Sequence, residues 1–135
     1  MALPEERTMA RILIAEDEEA IRSLVARALR QDGHEVMTVS DGAQALDLLF
    51  RERGAFELLV TDIRMPVMDG IALAHAAARE HPTVTILLMT GYADQRERAH
   101  DLDALIHDVI PKPFSLGTMR RAVSAALKAT PRRVN

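Results

Sequence analysis

Leu58-Leu59-Val60-Thr61-Asp62 is an apolar run that ends on an acid, and the loop Met65-Pro66-Val67-Met68-Asp69-Gly70 and an alanine-rich stretch over 71–80 follow it. A short run that is apolar on both alternating faces suits a strand buried between two layers. The Pro and the Asp-Gly pair then mark a turn into a helix, with Asp69 as its cap and Gly70 relieving the turn. Pro82 stands where that helix should stop. Strand, loop and helix in this order are one cycle of an alternating α/β chain.

Outward from this cycle the same rhythm recurs. Upstream, Ile12-Leu13-Ile14-Ala15 reads as a strand, and Ile21, Leu24, Val25, Ala28 and Leu29 have the spacing of an amphipathic helix's inner face. Asp17 is the expected cap of that helix and Gly33 its stop. Val36-Met37-Thr38-Val39 gives a second strand, and Asp41-Gly42 turns into a helix marked by Leu46, Leu49 and Phe50. Downstream come a strand over 84–90, a helix over about 93–101 and a short strand at Val109-Ile110. A final helix carries Leu116, Met119, Val123 and Leu127 inward.

Five such cycles predict an α/β fold, a doubly wound five-stranded parallel sheet of order 2-1-3-4-5 with helices on both faces. Pro111 fits an edge position for the fifth strand, because an edge tolerates the missing N–H. Residues 10–129 are expected to form one domain, with 1–9 a loose leader and 130–135 a flexible tail.

Composition narrows the function. The chain of 135 residues is 48% hydrophobic and 27% charged, an ordinary balance for one soluble domain. Only 3% is aromatic and the net charge is -3, which gives no support to nucleic-acid binding. There is no cysteine, so disulfides, thiolate metal sites and cysteine nucleophiles are excluded. No apolar run is long enough to span a membrane and the first residues do not form a signal peptide, so a cytoplasmic protein is expected.

In a doubly wound sheet the ligand crevice lies past the carboxyl ends of the strands. Glu16 and Asp17 after strand one, Asp62 at strand three, Thr90 at strand four and Lys112 after strand five all fall there. Taken alone, Glu16 and Asp17 read as an acidic helix start. Beside Asp62 they read as a cation site, because clustered carboxylates repel unless a cation joins them, and hard oxygens suit Mg²⁺. Lys112 and Thr90 then offer a charge and a hydrogen bond to a phosphoryl group. Asp62, at a strand end before an open loop, is the natural acceptor.

The Glu16-Asp17 pair, Asp62, the 65–70 loop, Thr90-Gly91 and Lys112-Pro113-Phe114 together resemble the receiver domains of two-component response regulators, the CheY-like (βα)5 family, over residues 10–129. The resemblance implies that Asp62 is the phosphoacceptor for a sensor histidine kinase or a histidine phosphotransfer protein. Asp17, Glu16, Asp62 and the backbone carbonyl of Arg64 would hold Mg²⁺, and Thr90 and Lys112 would contact the phosphoryl group. It also implies a cis bond between Lys112 and Pro113, and no enzymatic role beyond accepting and losing phosphate. A monomer or weak dimer is implied.

Met89-Thr90-Gly91-Tyr92-Ala93 and the Arg96–His107 segment are most similar to single-domain regulators of the CpdR type, which prime substrate delivery to the ClpXP protease. A protease or adaptor partner is therefore expected, with a phosphorelay intermediate as the alternative. Two positions depart from the family pattern. Val109 stands where many receivers have a switching Tyr or Phe, with Tyr92 as the candidate substitute, and Pro111 replaces an apolar residue. A small-molecule phosphatase using an aspartyl-phosphate is the competing class, and Arg64, where such enzymes place a second Asp, speaks against it.

The remaining polar residues have plainer readings. His34, His75, His81, His100 and His107 share no i, i+4 pair and are expected at the surface. Arg96-Glu97-Arg98 reads as a solvated helix face, and Met65, Met68 and Met89 as packing residues.

Overall fold

Along the first strand, Ile12 and Ile14 belong to one buried cluster while Leu13 and Ala15 belong to the other. The same alternation holds for Leu58 and Val60 against Leu59, and for Leu87 and Met89 against Ile86 and Leu88. Side chains alternate across a strand, so a run without polar residues demands a covering layer on each face. The computed structural model, which describes residues 10–91, 98–99 and 101–129, shows that arrangement.

Five strands, β1 (Arg11–Ala15), β2 (Glu35–Val39), β3 (Leu58–Asp62), β4 (Thr85–Thr90) and β5 (Asp108–Pro111), form a parallel sheet in the order β2-β1-β3-β4-β5. The helices are α1 (Glu19–Gln31), α2 (Gly42–Arg51), α3 (Gly70–Glu80) and α4 (Leu116–Ala129). Val25, Ala26 and Leu29 of α1 and Met119, Val123 and Ala126 of α4 cover one face. Ala45, Leu48 and Leu49 of α2 and Leu73, Ala74 and Ala77 of α3 cover the other. The expected fold class and strand order are those observed, and β5 lies at the edge with Pro111 in it.

Local signals account for three of the helix ends. Gly33 at φ 97° follows α1, with its N–H donating to Arg30 O and that of His34 to Leu29 O, the paired bonds of a Schellman stop. Asp41 and Asp69 cap α2 and α3, each accepting a backbone N–H at 2.8 Å, from Gln44 and Ala72.

Several expectations need correction. Asp17 does not cap α1. The helix begins later, with Glu18 at the cap position and no side-chain cap bond. Leu24 and Phe50, expected to face inward, are 49% and 71% exposed, while Ala26 and Leu48 take the buried positions. His34 and His81 are half-buried rather than at the surface. Of the helix expected over 93–101, only Arg98 and Ala99 are described as helical, and residues 92–97 and 100 lie outside the described residues, as do the expected leader and the expected tail.

Candidate functional site

Because all strands run the same way, their carboxyl ends share one edge of the sheet, and side chains just past those ends must meet. Glu16 is anchored past β1 by its N–H to Val39 O at 3.1 Å, and Lys112 past β5 by its N–H to Thr90 O at 2.6 Å. Asp62 closes β3, and its Oδ1 accepts the N–H of Ile63 at 2.9 Å. The N–H of Gly70 donates to Ile63 O at 2.8 Å, returning the loop to the strand it left. Gly70 is needed there because a Cβ would overlap the Asp62 carbonyl oxygen, and not because of a left-handed backbone.

Lys112 Nζ donates to Glu16 Oε1 at 2.8 Å and to Asp62 Oδ2 at 3.0 Å, so one ammonium spans two carboxylates from different strands. Glu16 Oε2 takes the N–H of Glu18 at 3.0 Å. Glu16 is fully buried, Asp62 nearly so, and Asp17 is exposed at the mouth. Carboxylate oxygens of Glu16, Asp17 and Asp62 all lie within 4.8 Å of one another. Such a set of hard oxygen donors, two buried and one open to solvent, fits a Mg²⁺ ion that keeps several waters.

Burial pushes the Glu16 carboxyl up to about 7, against the hydrogen bonds from Lys112 and the Glu18 N–H, and the charge of Asp62 adds to the rise. Burial also works against the charge on Lys112, but its hydrogen bonds to Glu16 and Asp62 outweigh that and raise its pKa above the ordinary lysine value. Lys112 thus remains an ammonium. Thr90 is fully buried at the end of β4, and its Oγ1 has no hydrogen-bond partner among the described residues. A buried hydroxyl without a partner costs free energy unless something else engages it.

The structure therefore brings together Glu16, Asp17, Asp62 and Lys112 at the strand ends that also hold Thr90. Arg64 lies in the adjoining loop with its side chain exposed. The Lys112–Pro113 bond is cis. Val109 is half-buried and packs on the core, whereas Tyr92 lies outside the described residues. Sequence patterning missed Gly42, whose N–H donates to Met68 O at 3.0 Å. Its Asp-Gly pair signals a turn but names no neighbour.

A family profile described as "Response regulator receiver domain" matches residues 12–124. Response regulator MprA of Mycobacterium leprae is 33% identical over 120 residues, covering 89% of this chain and 52% of that protein. The chain spans about half the length of the curated relatives it matches. Among solved structures, a receiver domain protein from Clostridium thermocellum superposes with a TM-score of 0.82 at 22% identity, over 90% of this chain and 96% of that one. Chemotaxis response regulator CheY4 of Vibrio cholerae gives 0.76 at 26% identity, over 88% and 99%.

Proposed function

The chain belongs to the response regulator receiver domain family, and we propose that Asp62 is its phosphoacceptor. The observation that carries this is Lys112 Nζ held between Asp62 and Glu16 at 3.0 and 2.8 Å, a fixed positive charge beside one exposed and two buried carboxylates. Glu16, Asp17, Asp62 and the Arg64 carbonyl would hold Mg²⁺. When bound, that ion supplies neutralisation of charge on the phosphoryl oxygens.

The chain's own residues do the rest. An Asp62 carboxylate oxygen attacks the phosphorus of a phosphohistidine on a sensor kinase or phosphotransfer protein. The O–P bond forms as the N–P bond breaks, and the imidazole leaves. The Ile63 N–H keeps the carboxylate oriented through Oδ1. Lys112 pairs with the transferred phosphoryl oxygens, and the unpartnered Thr90 hydroxyl donates to them. The phosphorylation state then controls binding to a partner protein. The similarity of residues 89–93 and 96–107 to CpdR-type regulators supports a protease-delivery partner, and transfer of label from phosphorylated protein to a histidine phosphotransfer protein would favour a relay role instead.

Acetyl phosphate with Mg²⁺ tests the assignment. The intact mass is expected to rise by one phosphoryl group in the wild type, and to stay unchanged in Asp62→Asn or after chelation of the metal. Equal phosphorylation of Asp62→Asn would refute it.

A further inference from the structure

Gly42 opens α2, and its N–H is one of those a helix start leaves without an intrahelical partner. That N–H donates to the carbonyl of Met68, in the loop between Asp62 and α3. A Cβ on Gly42 would overlap the Met68 carbonyl oxygen and crowd Met68 Cγ. Gly42 is not in the left-handed region, so its neighbour, not its own backbone, requires a glycine.

The post behind Gly42 is firm. Asp41 caps α2 through Gln44 N at 2.8 Å, Gln44 Oε1 takes the Ser40 N–H at 3.1 Å, and Ala45 and Leu49 are fully buried. The loop in front of it is bent. Met68 N–H donates to Pro66 O at 2.7 Å around Val67, which is 85% exposed at φ 69°. Gly70 fixes the far end of the loop on Ile63, and Gly42 holds it two residues earlier, at Met68. Along the chain, Arg64 lies between Asp62 and these anchors.

We propose that Gly42 is a positioning residue for the acidic site: through Met68 it sets the path of the loop that carries the Arg64 carbonyl, and thereby the affinity of the site for Mg²⁺. This rests on the assignment of Mg²⁺ to Glu16, Asp17 and Asp62. Gly42 touches none of the reacting atoms and acts through Met68. Mg²⁺ demands near-ideal octahedral geometry, so a displaced ligand weakens binding even when the carboxylates stay in place. Groups that only orient metal ligands commonly change affinity by about tenfold.

The test is titration calorimetry with Mg²⁺ on the wild type, Gly42→Ala and Gly33→Ala. Gly33 is the control, because it is left-handed with open space where a Cβ would go, so its alanine variant strains only a helix end. Gly42→Ala is expected to bind Mg²⁺ about tenfold more weakly, while Gly33→Ala loses stability and keeps wild-type affinity. Wild-type affinity in a folded Gly42→Ala would overturn the proposal but leave the Mg²⁺ site intact. A wild type that does not bind Mg²⁺ would overturn both. Amide exchange in the wild type covers a Gly42→Ala that fails to fold. Saturating Mg²⁺ is expected to slow exchange of the Gly42 N–H relative to that of Ala45, and an unchanged ratio overturns the proposal.

Discussion

Val67 and Glu16 show how single residues near the site bear costs that the rest of the fold must offset. Glu16 is fully buried, and among the described residues its carboxyl group is held by Lys112 and the Glu18 N–H. Val67 holds a left-handed φ of 69° that a β-branched residue rarely adopts. Replacing it with glycine removes that strain, and as the side chain is 85% exposed little packing is lost. Val67→Gly is expected to stabilise the protein by about 1 kcal/mol, the lower end for such strain after the added freedom of the unfolded chain. Urea denaturation checks it, and a lowered midpoint would contradict the strain assignment. The sequence showed Val67 only as a loop residue, because φ is imposed by the closure of the loop onto β3 and α2.

At the scale of elements, α2 separates what periodicity can and cannot tell. Its sequence offers Leu46, Leu48, Leu49 and Phe50, more apolar residues than one face can take. The helix lies so that Ala45, Leu48 and Leu49 meet the sheet, which rotates Phe50 into solvent. Leu24 in α1 is turned outward in the same way, in favour of Ala26. Only the neighbouring layer decides between two adjacent apolar residues. Leu49→Ala is expected to cost about 3 kcal/mol and Phe50→Ala less than about 0.5 kcal/mol. Equal losses in chemical denaturation would place Phe50 in the core after all. The α1 start was misplaced because Asp17, Glu18 and Glu19 are all plausible first-turn acids, and the position of Glu16 selects among them.

Over the whole molecule, the three central strands were legible because each carries an uninterrupted apolar run, Ile12–Ala15, Leu58–Val60 and Ile86–Met89, that fixes its own burial on both faces. The acids and the lysine of the site were legible because strand ends map to one edge. The unpartnered Thr90 hydroxyl and the contact of Gly42 with Met68 were not, since both depend on atoms brought together from distant parts of the chain. Global stability also carries a pH dependence hidden in the sequence. His34 is half-buried, its Nδ1 accepts the Ala10 N–H at 3.3 Å, and burial lowers its pKa below the ordinary histidine value. The folded state then binds fewer protons than the unfolded one. Stability from neutral His34 is complete above about pH 6.5 and falls as pH drops toward the folded pKa. His34→Gln is expected to flatten that fall in urea midpoints taken between about pH 7.5 and about pH 5. Parallel curves for the two proteins would show that His34 is not its source.

Of the carboxylates in the acidic cluster, Asp62 is the one proposed to take the phosphoryl group. Borohydride converts an aspartyl-phosphate to homoserine, so peptide mapping after Mg²⁺-dependent phosphorylation and reduction reads the acceptor directly. Homoserine at position 62 alone is the predicted result. Modification at Asp17 or Asp69, or none at any acid, would contradict it.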